Sequence, residues 1–343
     1  MSAEAPPLVV LTSPAPPELF AGFLADARIV PAATSAELMA LAGEAEVIIG
    51  DWSHRIHLDR EVFAAARRCR LVQQPTAGYE HIDVAAAAAA GIPVANAGDA
   101  NAAAVAEHAV MLAIGVLRHL RQAIAVTEAG AWRQQDFIDL DLPELGPRTV
   151  GIVGLGAIGQ AAARRFVAFG CDVLYTKRTP LPPDAERELG IRHADLDALL
   201  RASEVLVLAL PLNDQTRGII DARRLALLPR GAVVVNIARA GLVDNAALGE
   251  LLRSGHLAGA GLDVFDEEPL PTGHDLATLP NVLLTPHIAG VTAEAKRRLI
   301  LNSMQNIRRV LDGGEPEFVV NRPVAARPAP GGGAAGVGAA AGA

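Results

Sequence analysis

Apolar residues along this chain fall into two alternating patterns: short runs rich in Val, Ile and Leu, and longer Ala/Leu-rich stretches with helical spacing. In the first hundred residues the short runs sit at 8–11, 45–49, 71–73 and 92–95, with helical stretches between them. That is the β-α rhythm of a parallel sheet. Residues 84–90 are almost all alanine, but Asp83 can cap their start and Gly91 their end, so they predict a short packed helix. From 101 to 121, Val105, Ala109, Leu112 and Val116 recur at helical intervals and predict one helix crossing between lobes, after the turn-rich Asn96-Ala97-Gly98-Asp99. A second β-α rhythm runs from Thr149 to about Gly290, and 292–311 reads as a helix returning to the first lobe. The pattern therefore predicts an α/β molecule of two doubly wound parallel-sheet lobes. One spans 1–99 with 292–322, and the other, 100–291, is inserted into it. Residues 323–343, rich in Pro, Gly and Ala and without periodicity, are expected to form a disordered tail.

Composition narrows the function. A chain of 343 residues accommodates two domains, and 51% hydrophobic with 20% charged residues marks a globular body. With 3% aromatics and abundant Ala, the cores are expected to be built from small aliphatic side chains. A formal net charge of -8 argues against a nucleic-acid partner. Cys69 and Cys171 are too few for a disulfide framework or a Cys-based zinc site and fit a reducing compartment. No basic segment leads into a long apolar run near Met1, and no run approaches a membrane span, so the expected location is cytoplasmic, with no membrane partner.

The clearest chemical motif begins at 150. The strand Val150-Gly151-Ile152-Val153 feeds Gly154-Leu155-Gly156-Ala157-Ile158-Gly159, which opens an Ala-rich helix over 160–169, and a second strand follows at 172–175. In that setting glycines let backbone N–H groups approach a pyrophosphate at a helix N-terminus, so a nicotinamide dinucleotide is the expected cofactor. An acid at the end of the second strand would select NAD through the ribose hydroxyls. Here Thr176 stands there, followed by Lys177, Arg178 and Thr179. Two cations and a hydroxyl suit a 2′-phosphate, so NADP(H) is preferred over NAD(H).

Three later strands each end in a functional side chain. The apolar strand 232–237 runs into Ala238-Arg239-Ala240-Gly241; 258–262 runs into Asp263-Val264-Phe265-Asp266-Glu267-Glu268-Pro269; 282–284 runs into Thr285-Pro286-His287-Ile288-Ala289-Gly290. Strand C-termini of a doubly wound sheet line one crevice, so arginine, carboxylate and histidine can converge there.

With these motifs in this order, the chain resembles the D-isomer-specific 2-hydroxyacid dehydrogenase family from about Leu8 to Asn321, closest in pattern to its NADP-dependent glyoxylate/hydroxypyruvate reductases. The resemblance implies a Rossmann cofactor domain inserted into a flavodoxin-like substrate domain, and hydride transfer between NADP(H) and a small 2-ketoacid or D-2-hydroxyacid. It implies His287 as general acid/base, Glu268 as its charge partner and Arg239 as the clamp on substrate carboxylate and carbonyl. It further implies dinucleotide contacts from Leu210, Pro211, Thr216, Ile237, Ala238, Asp263 and Gly290, with Asp263 on the nicotinamide carboxamide. The turn Thr76-Ala77-Gly78 would offer backbone N–H groups to the substrate carboxylate, and Trp52, Ser53 and Arg55 would lie in a loop bearing on specificity. A homodimer is implied too, packed through the 101–121 helix and the segment near Trp132. Proton delivery to a carbonyl oxygen needs a group titrating near neutrality, and a carboxylate beside His287 would favour its protonated form.

Other readings weigh less. His54 and His57 after Asp51 suggest a metal, but no third ligand cluster supports one. Glu107 reads as structural and Trp132 as a buried or dimer-contact aromatic. A phosphite dehydrogenase would carry a basic residue where Ala77 stands, formate dehydrogenases a Gln where Glu268 stands, and regulated phosphoglycerate dehydrogenases more chain after the returning helix. A dinucleotide-sensing corepressor that binds protein partners is the alternative from a different class, since a sensor can keep Arg239, Glu268 and His287.

Overall fold

A computed structural model describes residues 5–321 and 323, so the tail expected at 323–343 lies outside the described residues apart from Pro323. The chain divides into two compact units, Met1–Ala100 with Lys296–Ala343, and Asn101–Ala295.

The first unit is a five-stranded sheet of β1 (Leu8–Leu11), β2 (Arg28–Pro31), β3 (Val47–Ile49), β4 (Leu71–Gln73) and β5 (Val94–Ala95), in the order β2-β1-β3-β4-β5. All its pairings are parallel. Side chains alternate across the pleat, so Val9, Leu11, Val47 and Ile49 join one core with Phe20, Met304 and Ile307, while Leu8, Val10 and Ile48 join another with Leu38, Phe63 and Val94. Burial on both faces is why the strands read as continuous apolar runs. β2 was not visible in that pattern: it is the edge strand, and its four residues are exposed or half-buried. The alanine run forms the helix Val84–Ala89, its start capped by Asp83 accepting the Ala86 N–H at 2.8 Å and its end followed by Gly91 at φ 71°.

The second unit holds seven parallel strands, β6 (Thr149–Val153), β7 (Asp172–Thr176), β8 (Ile191–His193), β9 (Val205–Leu208), β10 (Ala232–Asn236), β11 (Leu257–Leu262) and β12 (Val282–Leu284), ordered β12-β11-β10-β9-β6-β7-β8. From β6 the chain moves outward to β7 and β8, then returns to lay β9 on the other side of β6. The strand order reverses there, and a crevice opens at the carboxyl ends. The helix expected over 101–121 is two helices: Ala102–Leu117 stops where His119 takes φ 49°, and Leu120–Glu128 leaves in a new direction at 67°. The first is apolar nearly all round and buried, whereas the second buries no residue. Among the described residues no single helix is long and apolar enough to cross a membrane. The returning helix spans Ala293–Leu311, and the division between units falls after its first three residues.

Candidate active site

The three glycines after β6 have separate physical reasons. Gly154 sits at φ 97°, and a Cβ there would lie 2.6 Å from the Ala209 carbonyl oxygen, so both backbone angle and close approach demand glycine. A Cβ on Gly159 would meet the Gly154 carbonyl oxygen at 2.1 Å; it lets the helix Ala157–Ala168 pack onto the turn. Gly156, the residue before that helix, is exposed, and its Cβ would meet nothing within 4 Å. Protein packing therefore does not require glycine at 156. A ligand lying against the backbone at the helix N-terminus would, and a pyrophosphate suits that cradle by charge and by size. Ala157 is exposed and Ile158 half-buried at the same helix start.

At the end of β7, Thr176 and Lys177 are half-buried and Arg178 and Thr179 exposed. Among the described residues neither Lys177 nor Arg178 has an ion-pair partner. Their loop is tied down by Tyr175, whose hydroxyl accepts the Leu181 N–H at 2.7 Å and donates to Glu186 Oε1 at 2.6 Å. Burial, then the Glu186 hydrogen bond, pushes the Tyr175 hydroxyl above its ordinary pKa, so it remains a donor. Past β9, Leu210 is half-buried and Pro211 exposed. Thr216 closes this loop, its hydroxyl donating to the Pro211 carbonyl at 2.7 Å and accepting the Asn213 N–H at 2.8 Å.

The ends of β10, β11 and β12 lie side by side, with Asn236 beside Leu262 and Leu262 beside Leu284. Past β10, the buried Asn236 side chain accepts the Ala238 N–H at 3.0 Å and donates to the Arg239 carbonyl at 2.9 Å. It thereby fixes the turn through Ile237 and Ala238 that presents Arg239. The Arg239 side chain donates to the Ala238 carbonyl at 2.7 Å. Past β11, Glu268 accepts the Phe265 N–H on Oε1 at 3.0 Å and faces His287 Nδ1 with Oε2 at 2.7 Å. The carboxylate can only accept, so Nδ1 carries the hydrogen and Nε2 is left for exchange with a ligand.

His287 stands at φ 55°, a left-handed conformation that costs a residue bearing a Cβ about 1–2 kcal/mol. Its loop is over-determined by Asp263, which is 1% exposed. Oδ1 accepts the Thr285 hydroxyl at 2.6 Å and the Ile288 N–H at 2.9 Å, and Oδ2 accepts the Ala289 N–H at 2.8 Å. The resemblance gave Asp263 to the nicotinamide carboxamide; in the structure its carboxylate holds the histidine loop. Gly290 packs against Asn101, whose Nδ2 would be 2.8 Å from a Cβ there. Glu107 pairs with Arg165 at 2.6 Å. Sequence reasoning passes over Asn236, Tyr175 and Thr285. The available signal for Asn236 was a polar residue closing an apolar strand; Tyr175 and Thr285 carry none.

In the first unit, Thr76 donates its hydroxyl to the Gly78 carbonyl at 3.0 Å and accepts Gln74 Nε2 at 2.7 Å, while Asn96 Nδ2 donates to the Ala77 carbonyl at 3.0 Å. Among the described residues the amides of Ala77 and Gly78 have no acceptor. The loop after β3 is organised by Asp51, 0% exposed, which takes the Ser53 N–H and hydroxyl and the Arg55 and Ile56 N–H groups. Burial raises the Asp51 carboxyl, but these hydrogen bonds outweigh it and hold the group below its ordinary value. Trp52 is half-buried, packs against the core containing Val9 and Leu11, and donates its N–H to Ser13 Oγ at 3.2 Å. His54 stacks on His81 at 4.3 Å and His57 meets it edge-on at 6.4 Å. Among the described residues no group of three or more His, Cys, Asp or Glu is arranged to hold a metal.

Comparison with known proteins agrees with this fold. Residues 110–289 match the D-isomer specific 2-hydroxyacid dehydrogenase, NAD binding domain. The glyoxylate reductase of Thermococcus kodakarensis is 40% identical over 274 residues, 78% of this chain and 81% of that protein. Among solved structures, a glyoxylate reductase from Paecilomyes thermophila superposes with a TM-score of 0.83 at 30% identity, covering 92% of this chain and 99% of that one. The D-lactate dehydrogenase of Aquifex aeolicus, complexed with NAD and lactic acid, gives 0.79 at 25% identity over 89% and 96%. A glycine cradle at the strand-order reversal, a carboxylate-paired histidine two strand ends from an arginine, and a family match over residues 110–289 lead to one assignment: the chain belongs to the D-isomer specific 2-hydroxyacid dehydrogenase family and is an NAD(P)-dependent 2-hydroxyacid dehydrogenase.

Proposed function

We propose that the protein reduces a small 2-ketoacid, glyoxylate or hydroxypyruvate, to the 2-hydroxyacid, with NADPH preferred over NADH. The observation that carries this reading is the 2.7 Å pair between His287 Nδ1 and Glu268, on a strand end two removed from Arg239. The nicotinamide, when bound, supplies the hydride. The chain supplies the rest. His287 delivers a proton from Nε2 to the carbonyl oxygen, with Glu268 fixing the ring's orientation. Arg239 binds the planar carboxylate through paired N–H donors and opposes charge gathering on the carbonyl oxygen. Asp263 is the acceptor for the cofactor's carboxamide.

The substrate rests on relatives named glyoxylate reductase at 40% identity. The cofactor preference rests on Thr176 standing where an acid would repel a 2′-phosphate, followed by two cations without carboxylate partners among the described residues. Along 120–140, Leu120, Ile124, Trp132, Ile138 and Leu140 are all exposed, Trp132 at 86%, and neither helix of this stretch buries a residue. Such apolar surface supports a homodimer packed through this segment. The two buried cysteines, neither in a disulfide among the described residues, support a reducing, cytoplasmic location.

Oxidation of NADPH and of NADH over a panel of 2-ketoacids tests the proposal. Turnover of glyoxylate and hydroxypyruvate with a higher kcat/KM for NADPH is expected. Tight dinucleotide binding with no turnover of any 2-ketoacid would reject it in favour of a sensor, and preference for NADH would reject the 2′-phosphate site.

A further inference from the structure

The helix Ala102–Leu117 lies on β11 in a matched register. A Cβ on Gly259 would come 2.5 Å from Val116 Cγ1, and one on Gly261 would come 2.8 Å from Leu112 Cβ, so these glycines let the helix touch the strand. Four helix residues climb about 6 Å and two strand residues about 6.6 Å, which makes His108 and Asp263 the next pair in the series. The structure has that pair: His108 Nε2 is 3.5 Å from Asp263 Oδ1 and 2.9 Å from the Thr285 hydroxyl, which lies 2.6 Å from Asp263 Oδ1.

The hydrogens in this chain can be assigned. Thr285 has one hydroxyl hydrogen, and the carboxylate needs it, so the hydroxyl lone pair faces His108 and Nε2 of His108 carries a hydrogen. Burial holds His108 below the ordinary histidine pKa, against the pull of the Asp263 charge. His108 is thus a neutral donor at the head of a relay that ends on the carboxylate holding the two amides directly after His287.

We propose that His108 and Thr285 are positioning residues for His287: as a donor chain they fix the Asp263 rotamer that receives the Ile288 and Ala289 amides, and so keep His287 in its left-handed conformation facing Glu268. Without that chain, the carboxylate can turn, the loop can relax to negative φ, and the imidazole leaves its carboxylate. The inference rests on the reading of His287 as proton donor.

Steady-state kinetics of the full chain, with glyoxylate and the better of NADPH and NADH, test it. Thr285→Val should lower kcat about tenfold or more, and Thr285→Ser should restore most of the loss. His108→Phe should match Thr285→Val, and the double variant should be no slower than the slower single one, because both break one chain. Should Thr285→Val not fold, His108→Gln, which keeps an N–H donor, against His108→Phe, which has none, carries the same comparison. Wild-type kcat in folded Thr285→Val and His108→Phe, or a loss that Ser and Gln do not restore, overturns the proposal. His287→Ala run in parallel separates the two claims: if it keeps turnover the acid/base reading fails, and if it alone loses turnover only the relay fails.

Discussion

At the scale of single residues, the structure separates glycines that packing demands from one that it does not. Gly154 and Gly159 are dictated by φ and by carbonyl oxygens at 2.6 and 2.1 Å from a Cβ, whereas a Cβ on Gly156 meets nothing. Gly156→Ala should therefore leave the melting temperature unchanged and weaken dinucleotide binding about tenfold, about 1.4 kcal/mol; a melt and a fluorescence titration check both. A drop in stability with unchanged affinity would assign the glycine to packing. A second residue-scale prediction concerns His81, 5% exposed, with neither ring nitrogen hydrogen-bonded among the described residues. Burial, then the neighbouring His54, pushes it down to about 4. It is neutral when folded and takes a proton near 6.5 when unfolded, so the unfolded chain binds more protons between those values and stability falls as pH drops from 6.5 toward 4. The loss is at most about 3 kcal/mol. Urea midpoints at pH 7 and pH 5 should differ less in His81→Leu than in the wild type, and equal differences would remove His81 as the cause.

At the scale of elements, strands buried on both faces are legible and their exceptions are informative. β1 and β4 carry the bounds their apolar runs predict, whereas β2 pairs only with β1 at the sheet edge and has no buried position to mark it. The helix over 101–121 keeps its apolar spacing through Leu120, but His119 turns left-handed and ends it. Spacing reports which residues can share a face and not where the backbone breaks. Arg239, Glu268 and His287 were legible as candidates because each lies in the loop that follows an apolar strand. The parts that fix them, Asn236, Asp263 acting on the histidine loop, and the His108–Thr285 chain, depend on contacts between segments as much as 177 residues apart. No local pattern records those. The β7 loop is the element whose exchange is expected to change cofactor choice. Thr176→Asp with Arg178→Ala should shift the ratio of kcat/KM from NADPH toward NADH by about tenfold or more, since a charge-assisted hydrogen bond to a phosphate is replaced by repulsion. An unchanged ratio would make Lys177 and Arg178 ordinary surface charges.

At the scale of the whole molecule, each unit has its own parallel sheet buried on both faces, and the second unit contains the glycine cradle and the Arg239, Glu268 and His287 strand ends together. The helices Leu120–Glu128 and Gln134–Ile138 bury nothing within one chain, so sedimentation velocity should give a dimer, and Trp132→Glu with Ile138→Glu should shift it to monomer. A wild-type monomer at micromolar concentration would contradict that assembly. The proposed reduction of a 2-ketoacid turns on proton delivery by the imidazole that Glu268 orients. The most direct test is kcat of His287→Ala for glyoxylate, with NADPH affinity measured on the same sample. A loss of at least about 100-fold with unchanged NADPH Kd is expected; turnover within about twofold of wild type would remove His287 as the proton donor.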